Sequence, residues 1–151
     1  MRDINKIIIH CSDSAWGDAN EIDRWHKARG WDSIGYHYVI TNGHIKPSHK
    51  YEEDQDGLIQ EGRSIQTVGA HAKGHNSTSV GICLIGQHHF TGRQLYRGLP
   101  TIVDILMQSY KLTPDDVVGH TELDSEKTCP NFDVITFREL LRRGGNNDLR
   151  G

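Results

Sequence analysis

Ile4-Asn5-Lys6-Ile7-Ile8-Ile9-His10 is the stretch that decides the architecture. Successive side chains of an extended segment point to opposite faces, so three consecutive isoleucines require apolar cover on both. That is the pattern of a strand inside a sheet flanked by helices, not of a strand with one wet face. Downstream, a polar loop runs through Gly17, and Asn20 is placed to cap a helix. That helix carries Glu21 and Asp23 in its first turn, Lys27 and Arg29 in its last, and a stop at Gly30, with Ile22, Trp25 and either Ala28 or the Arg29 stem inward. Tyr36-His37-Tyr38-Val39-Ile40-Thr41 has the β-branched and aromatic content of a second strand, and Asn42-Gly43 signals a hairpin turn.

A second turn signal, Asp56-Gly57, precedes Leu58-Ile59-Gln60-Glu61, which reads as the returning strand. Residues 44 to 56 then form a polar excursion containing Pro47 and the acidic group Glu52-Glu53-Asp54, expected on the surface as a plain loop or as the border of a substrate groove. Val68 to Asn76 is a loop rich in Gly and His, and Ser79 to Ile85 is another buried strand. From Gln94 to Tyr110 the apolar residues Leu95, Leu99, Ile102, Val103 and Leu106 follow helical spacing. Pro100 either kinks this helix or marks its true start. Asp116 to Gly119 is a last short strand ending on His120. Asp133 caps a final helix that buries Val134, Phe137, Leu140 and Leu141 and stops at Gly144-Gly145. Strands alternating with helices predict an α/β fold: one mixed central sheet flanked by about three helices, in a single domain spanning 1–151.

Composition narrows the function. The chain has 151 residues, 25% of them charged, and a formal net charge of −3. It has no basic run to track phosphates, which argues against nucleic acid as a partner and against a nuclease. No run reaches transmembrane length, and the start Met1-Arg2-Asp3-Ile4-Asn5-Lys6 lacks the apolar stretch of a signal peptide, so the expectation is a monomeric protein without membrane insertion, accumulating in the cytoplasm of the producing cell. Three cysteines lack the paired spacing of a disulfide framework. Cys83 lies in an apolar run and reads as core. Cys11 follows His10 directly, and strand neighbours face opposite sides, so only one of the two reaches a given metal without a bend.

The chemistry concentrates in Gly119-His120-Thr121-Glu122-Leu123-Asp124-Ser125-Glu126-Lys127-Thr128-Cys129-Pro130. An imidazole and a thiol flank a lysine. Zinc takes such nitrogen and sulfur donors, and a catalytic zinc keeps three protein ligands and an open position. The best third donor is His10, delivered to the sheet's edge by the first strand, which makes His10, His120 and Cys129 a candidate set for one zinc ion.

Several segments, in one order, resemble the zinc amidases that cut between N-acetylmuramic acid and L-alanine, the type 2 amidase and peptidoglycan recognition protein superfamily. They are IIIHCSDS, RWHKARGWDSIGYHYVI, DGLIQEGR, VGAHAKGHN, SVGICLIG and GHTELDSEKTCPNF. The small amidase lysozymes of tailed phages share the GYH and AHAKG segments and the lysine two residues before the cysteine. The resemblance implies a twisted sheet with helices on both sides, bacterial peptidoglycan as substrate, zinc as cofactor, and catalytic roles for Tyr36 and Lys127. It implies substrate contact for His71, Lys73 and Asn76, and an ion pair anchoring a strand for Arg63. It further implies release of the enzyme to the wall once the membrane is opened. Among phage relatives RNA polymerase is a second partner, which these residues do not decide. A peptidoglycan-binding module without catalysis is the alternative, and Cys129 and Tyr36 argue against it.

Overall fold

In the computed structural model, which describes residues 2–48 and 50–148 and side chains as far as Gly144, the isoleucine run forms β1 (Lys6–Cys11). The other strands are β2 (Tyr38–Asn42), β3 (Asp56–Glu61), β4 (Ser79–Leu84) and β5 (Val117–Gly119). They form one sheet in the order β3-β2-β4-β1-β5. β1 runs parallel to β4 and β5, and β2 parallel to β4. Only the edge strand β3 is antiparallel, which makes the sheet mixed as expected.

Ile7, Ile8 and Ile9 are each 0% exposed, because both faces of β1 are covered. On one face Ile7, Ile9, Ile40, Val80, Ile82 and Leu84 pack against α2 (Leu99–Tyr110) and against Phe137 of α4 (Val134–Asp148). On the other face Val39, Cys83 and Ile85 meet Ile34 and the Ala19 and Ile22 side chains of α1 (Ala19–Ala28), with Trp25 and Tyr36 half-buried at the margin. A fourth helix, α3 (His120–Leu123), is a single turn. Cys83 is wholly enclosed, as a core residue should be. Cys83→Ala is expected to lower stability by about 1–2 kcal/mol in thermal melts and to leave metal content unchanged.

Local details differ from the sequence reading where a tertiary partner outweighs a local signal. The cap of α1 is Asp18, whose carboxylate accepts the Glu21 amide at 2.8 Å, and the helix starts at Ala19 instead of after Asn20. Asn42-Gly43 does not close a tight hairpin. Asn42 pairs with Asp56, so residues 43–55 form the whole connection. The Asn42 side chain instead donates to the Ala15 carbonyl at 3.0 Å and accepts the His44 amide at 3.0 Å, tying the loop to the start of α1. Asp56 is buried at the head of β3, where the Tyr51 and Thr91 hydroxyls donate to it at 2.5 and 2.6 Å.

Pro100 sits in the first turn of α2, which follows directly on a π turn at Gln94–Gly98. The buried Gln94 amide donates to the carbonyls of Ile40 and Ile85 at 3.0 and 2.9 Å, fastening this turn across the ends of β2 and β4. The last helix is capped by Asp133 as expected, with 3.1 Å from the Thr136 amide. It continues beyond Gly144 to Asp148, and Leu140 is 45% exposed, not buried.

Candidate active site

In open sheets with parallel strands, ligand sites form beyond the carboxyl ends of those strands. Here that edge is where His10 and His120 meet. Ile9 pairs with Gly119, so the next residue of each strand is delivered side by side, and the two imidazoles lie 4.6 Å apart between centroids. The Gly119 amide donates to Glu122 at 2.8 Å, and Glu122 pairs with Arg138 of α4 at 2.6 Å, which fixes the turn that carries His120. The Thr121 amide donates to the Cys129 carbonyl at 2.8 Å and so folds the chain back, bringing Cys129 to the same edge.

Tyr36 approaches from the opposite side, its ring 5.1 Å from that of His10. His26 of α1 holds it there: Nδ1 accepts the Gly35 amide at 2.9 Å, and its ring lies 5.6 Å from Tyr36. Arg63 donates to the Ile34, Val68 and Ser33 carbonyls at 3.0, 2.8 and 3.2 Å. Its anchoring role is therefore carried by backbone carbonyls, and the ion pair implied for it is replaced. Lys127 is exposed at the rim, its amide on the Asp124 carbonyl at 3.0 Å. Its ammonium contributes to lowering both the His120 and the Cys129 pKa.

Of the loop residues, His71 reaches the centre. Its Nδ1 is 2.8 Å from His10 Nε2. Asn76 uses its side-chain carbonyl inside the loop, accepting the His71 and Ala72 amides at 2.9 and 2.8 Å, and so clamps the loop. Lys73 is exposed at the loop's outer turn.

The thiols form a pair. Cys11 Sγ lies 2.9 Å from Cys129 Sγ, and Asn131 Nδ2 lies 3.5 Å from the Cys11 sulfur. His10 and Cys11 do diverge, as strand neighbours must, yet the Cys129 sulfur sits against Cys11. Among the described residues no three His, Cys, Asp or Glu side chains stand together as a group that could hold a metal ion. Within the candidate set His10 Nε2 is paired with His71 and the Cys129 sulfur with Cys11.

Burial dominates the electrostatics. Desolvation lowers the pKa of His10 well below the ordinary imidazole value, with His71 and His120 adding to the effect, and it lowers His120 too, helped by Lys127. Desolvation takes His71 down to about 3 and His26 and His37 down to about 4. The histidines of this cluster are accordingly neutral at pH 7. The hydrogen bond with Cys11 is the first cause lowering the Cys129 thiol to about 6, while Cys11 itself is pushed up. Burial, then the neighbouring thiols, push the Tyr36 phenol well above its ordinary value, so it remains a proton donor.

Sequence reading left Cys11 without a role and missed His26 and His37. His37 is buried, accepts the Gly81 amide at 3.0 Å on Nδ1, and meets the Thr67 carbonyl at 2.8 Å through Nε2. The available signal was alternation: His37, His10 and Cys83 all fall on the sheet face that carries the site.

Residues 1–132 match the family model described as N-acetylmuramoyl-L-alanine amidase. The chain belongs to that family. It is similar to the endolysin of Klebsiella phage KP32, 33% identical with 91% of this chain and 87% of the relative covered. It is also similar to the endolysin of Escherichia phage T7, 32% identical with 88% and 84% covered. Among solved structures, the N-acetylmuramoyl-L-alanine amidase LysC from Clostridium intestinale superposes with a TM-score of 0.78 at 29% identity, over 93% of this chain and 87% of that one. The enzyme is thus an N-acetylmuramoyl-L-alanine amidase, a hydrolase of peptidoglycan.

Proposed function

We propose that the amidase works with one zinc ion held by His10, His120 and Cys129, and that it serves as a phage endolysin. The observation that carries this reading is the pair of neutral imidazoles in ring contact beside a thiol poised to ionise, all at one sheet edge with Tyr36 and Lys127 around them. Neutral imidazole and thiolate are the forms that zinc binds, so the donor set fits the metal by chemistry. When bound there, zinc would polarise the scissile carbonyl and lower the pKa of a coordinated water towards neutrality.

The chain's own residues then supply the rest. A half-buried Tyr36 that keeps its proton can donate a hydrogen bond to the oxygen that gains charge as the carbonyl is attacked. Lys127 brings a positive charge on a mobile stem to the same opening, suited to that oxygen or to the departing nitrogen. The carbonyl ligands of Arg63 and the His26–Gly35 bond hold the Tyr36 segment so that its hydroxyl need not be reorganised during reaction.

No helix of the described residues is long and apolar enough to cross a membrane. In this reading the enzyme accumulates inside the producing cell and meets the wall once the membrane is opened. Digestion of purified cell wall tests the activity. Free alanine amino termini are expected, lost in a strong chelator and restored by zinc. New reducing sugar ends alone would sink the amidase reading, and undiminished release in chelator would sink the zinc.

A further inference from the structure

We infer that His71 is a positioning residue: it accepts the Nε2 proton of His10 and so leaves His10 Nδ1 as the ring nitrogen that takes the metal, an inference that rests on the zinc reading above. His10 is 2% exposed, and a ring so enclosed must satisfy its polar atoms locally. Its Nε2 does so with His71 Nδ1 at 2.8 Å, the rings meeting edge to face at 89°. Among the described residues Nδ1 has no hydrogen-bond partner, yet no buried side-chain nitrogen or oxygen is left unpaired. Nδ1 is therefore the atom that reaches the small surface His10 keeps.

His71 is built to stay where it is. Asn76 holds its amide, and Ser79 Oγ lies 3.2 Å from its Nε2. Its ring rests on Gly81, where a Cβ would fall 2.6 Å from the imidazole, so any larger residue in this position of β4 would displace it. Proton accounting gives the direction. If His71 Nδ1 accepts, its own proton is on Nε2 and is donated to Ser79, so every atom of the chain His10–His71–Ser79 is satisfied. The reverse order would put a proton on His10 Nδ1 and block the one nitrogen free for a metal. Ligand histidines generally donate their second ring nitrogen to a fixed acceptor, which sets the tautomer. A neutral imidazole as acceptor does this without adding negative charge, so the metal's own charge is preserved for the substrate.

The test is nitrogen-15 NMR of histidine-labelled, zinc-free protein at neutral pH, together with zinc affinity measured by chelator competition. His10 is expected protonated at Nε2. His71→Leu is expected to mix the tautomers and weaken zinc binding roughly 10–100-fold. His71→Asn, whose side-chain oxygen can stand near the place of Nδ1, should recover most of that loss. Should His71→Leu fail to fold, Ser79→Ala loosens the same ring and is expected to weaken zinc binding in the same direction. A proton on His10 Nδ1 in the wild-type protein overturns the inference. So does unchanged zinc affinity in folded His71→Leu or, where that variant does not fold, in Ser79→Ala, while the zinc reading survives. A wild-type protein that takes up no zinc overturns that reading, and this inference with it.

Discussion

Cys129→Ser is expected to abolish wall hydrolysis while leaving a folded protein that still binds wall. The thiol is held near ionisation by its Cys11 neighbour, so near neutral pH it offers a metal the thiolate it needs. A serine hydroxyl in the same place stays protonated and is a harder donor, poorly matched to zinc beside two imidazoles. Losing even an outer-shell partner costs roughly 10–100-fold in metal affinity, so losing a ligand should cost at least about 100-fold. Metal analysis and chelator competition read that loss, and a wall pull-down reads the groove. Retained zinc with retained lysis would remove Cys129 from the ligand set. A collapsed melting transition would make the Cys11–Cys129 contact structural instead.

Tyr36→Phe and Lys127→Ala are each expected to lower kcat and kcat/KM together, by about 10²–10³ for the loss of a single good donor, with KM and zinc content nearly unchanged. Burial keeps the Tyr36 hydroxyl protonated 5.1 Å, ring to ring, from His10, and phenylalanine keeps the ring while removing only the donor. Lys127 is exposed, so alanine there opens no cavity, and its loss should register in turnover and not in stability. If both groups serve one transition state, the double variant should be less impaired than the product of the single effects. A raised KM with normal kcat would assign them to substrate grip. Loss of zinc would assign them to support of the metal.

How much of this was legible beforehand follows from the range over which each interaction acts. Three consecutive isoleucines specify a strand covered on both sides wherever they occur, because alternation is a property of the extended backbone itself. The order of short motifs likewise identified the family, the mixed sheet and the residues at its edge. Choices of cap and turn were less secure, since Asp18 and Asn20 are both good capping residues and only the docked helix selects one. Asn42-Gly43 has the local chemistry of a tight turn. Its side chain was claimed instead by Ala15, 27 residues away.

The finer organisation of the site belongs to the tertiary structure alone. The His10–His71 bond joins residues 61 apart, and the Cys11–Cys129 contact joins residues 118 apart. No periodicity or spacing encodes which nitrogen of an imidazole is occupied or which two thiols meet. Those are settled by what burial leaves within reach once the parallel strands are in register, when a low-dielectric interior obliges each polar atom to find its partner among the few that the fold has placed beside it.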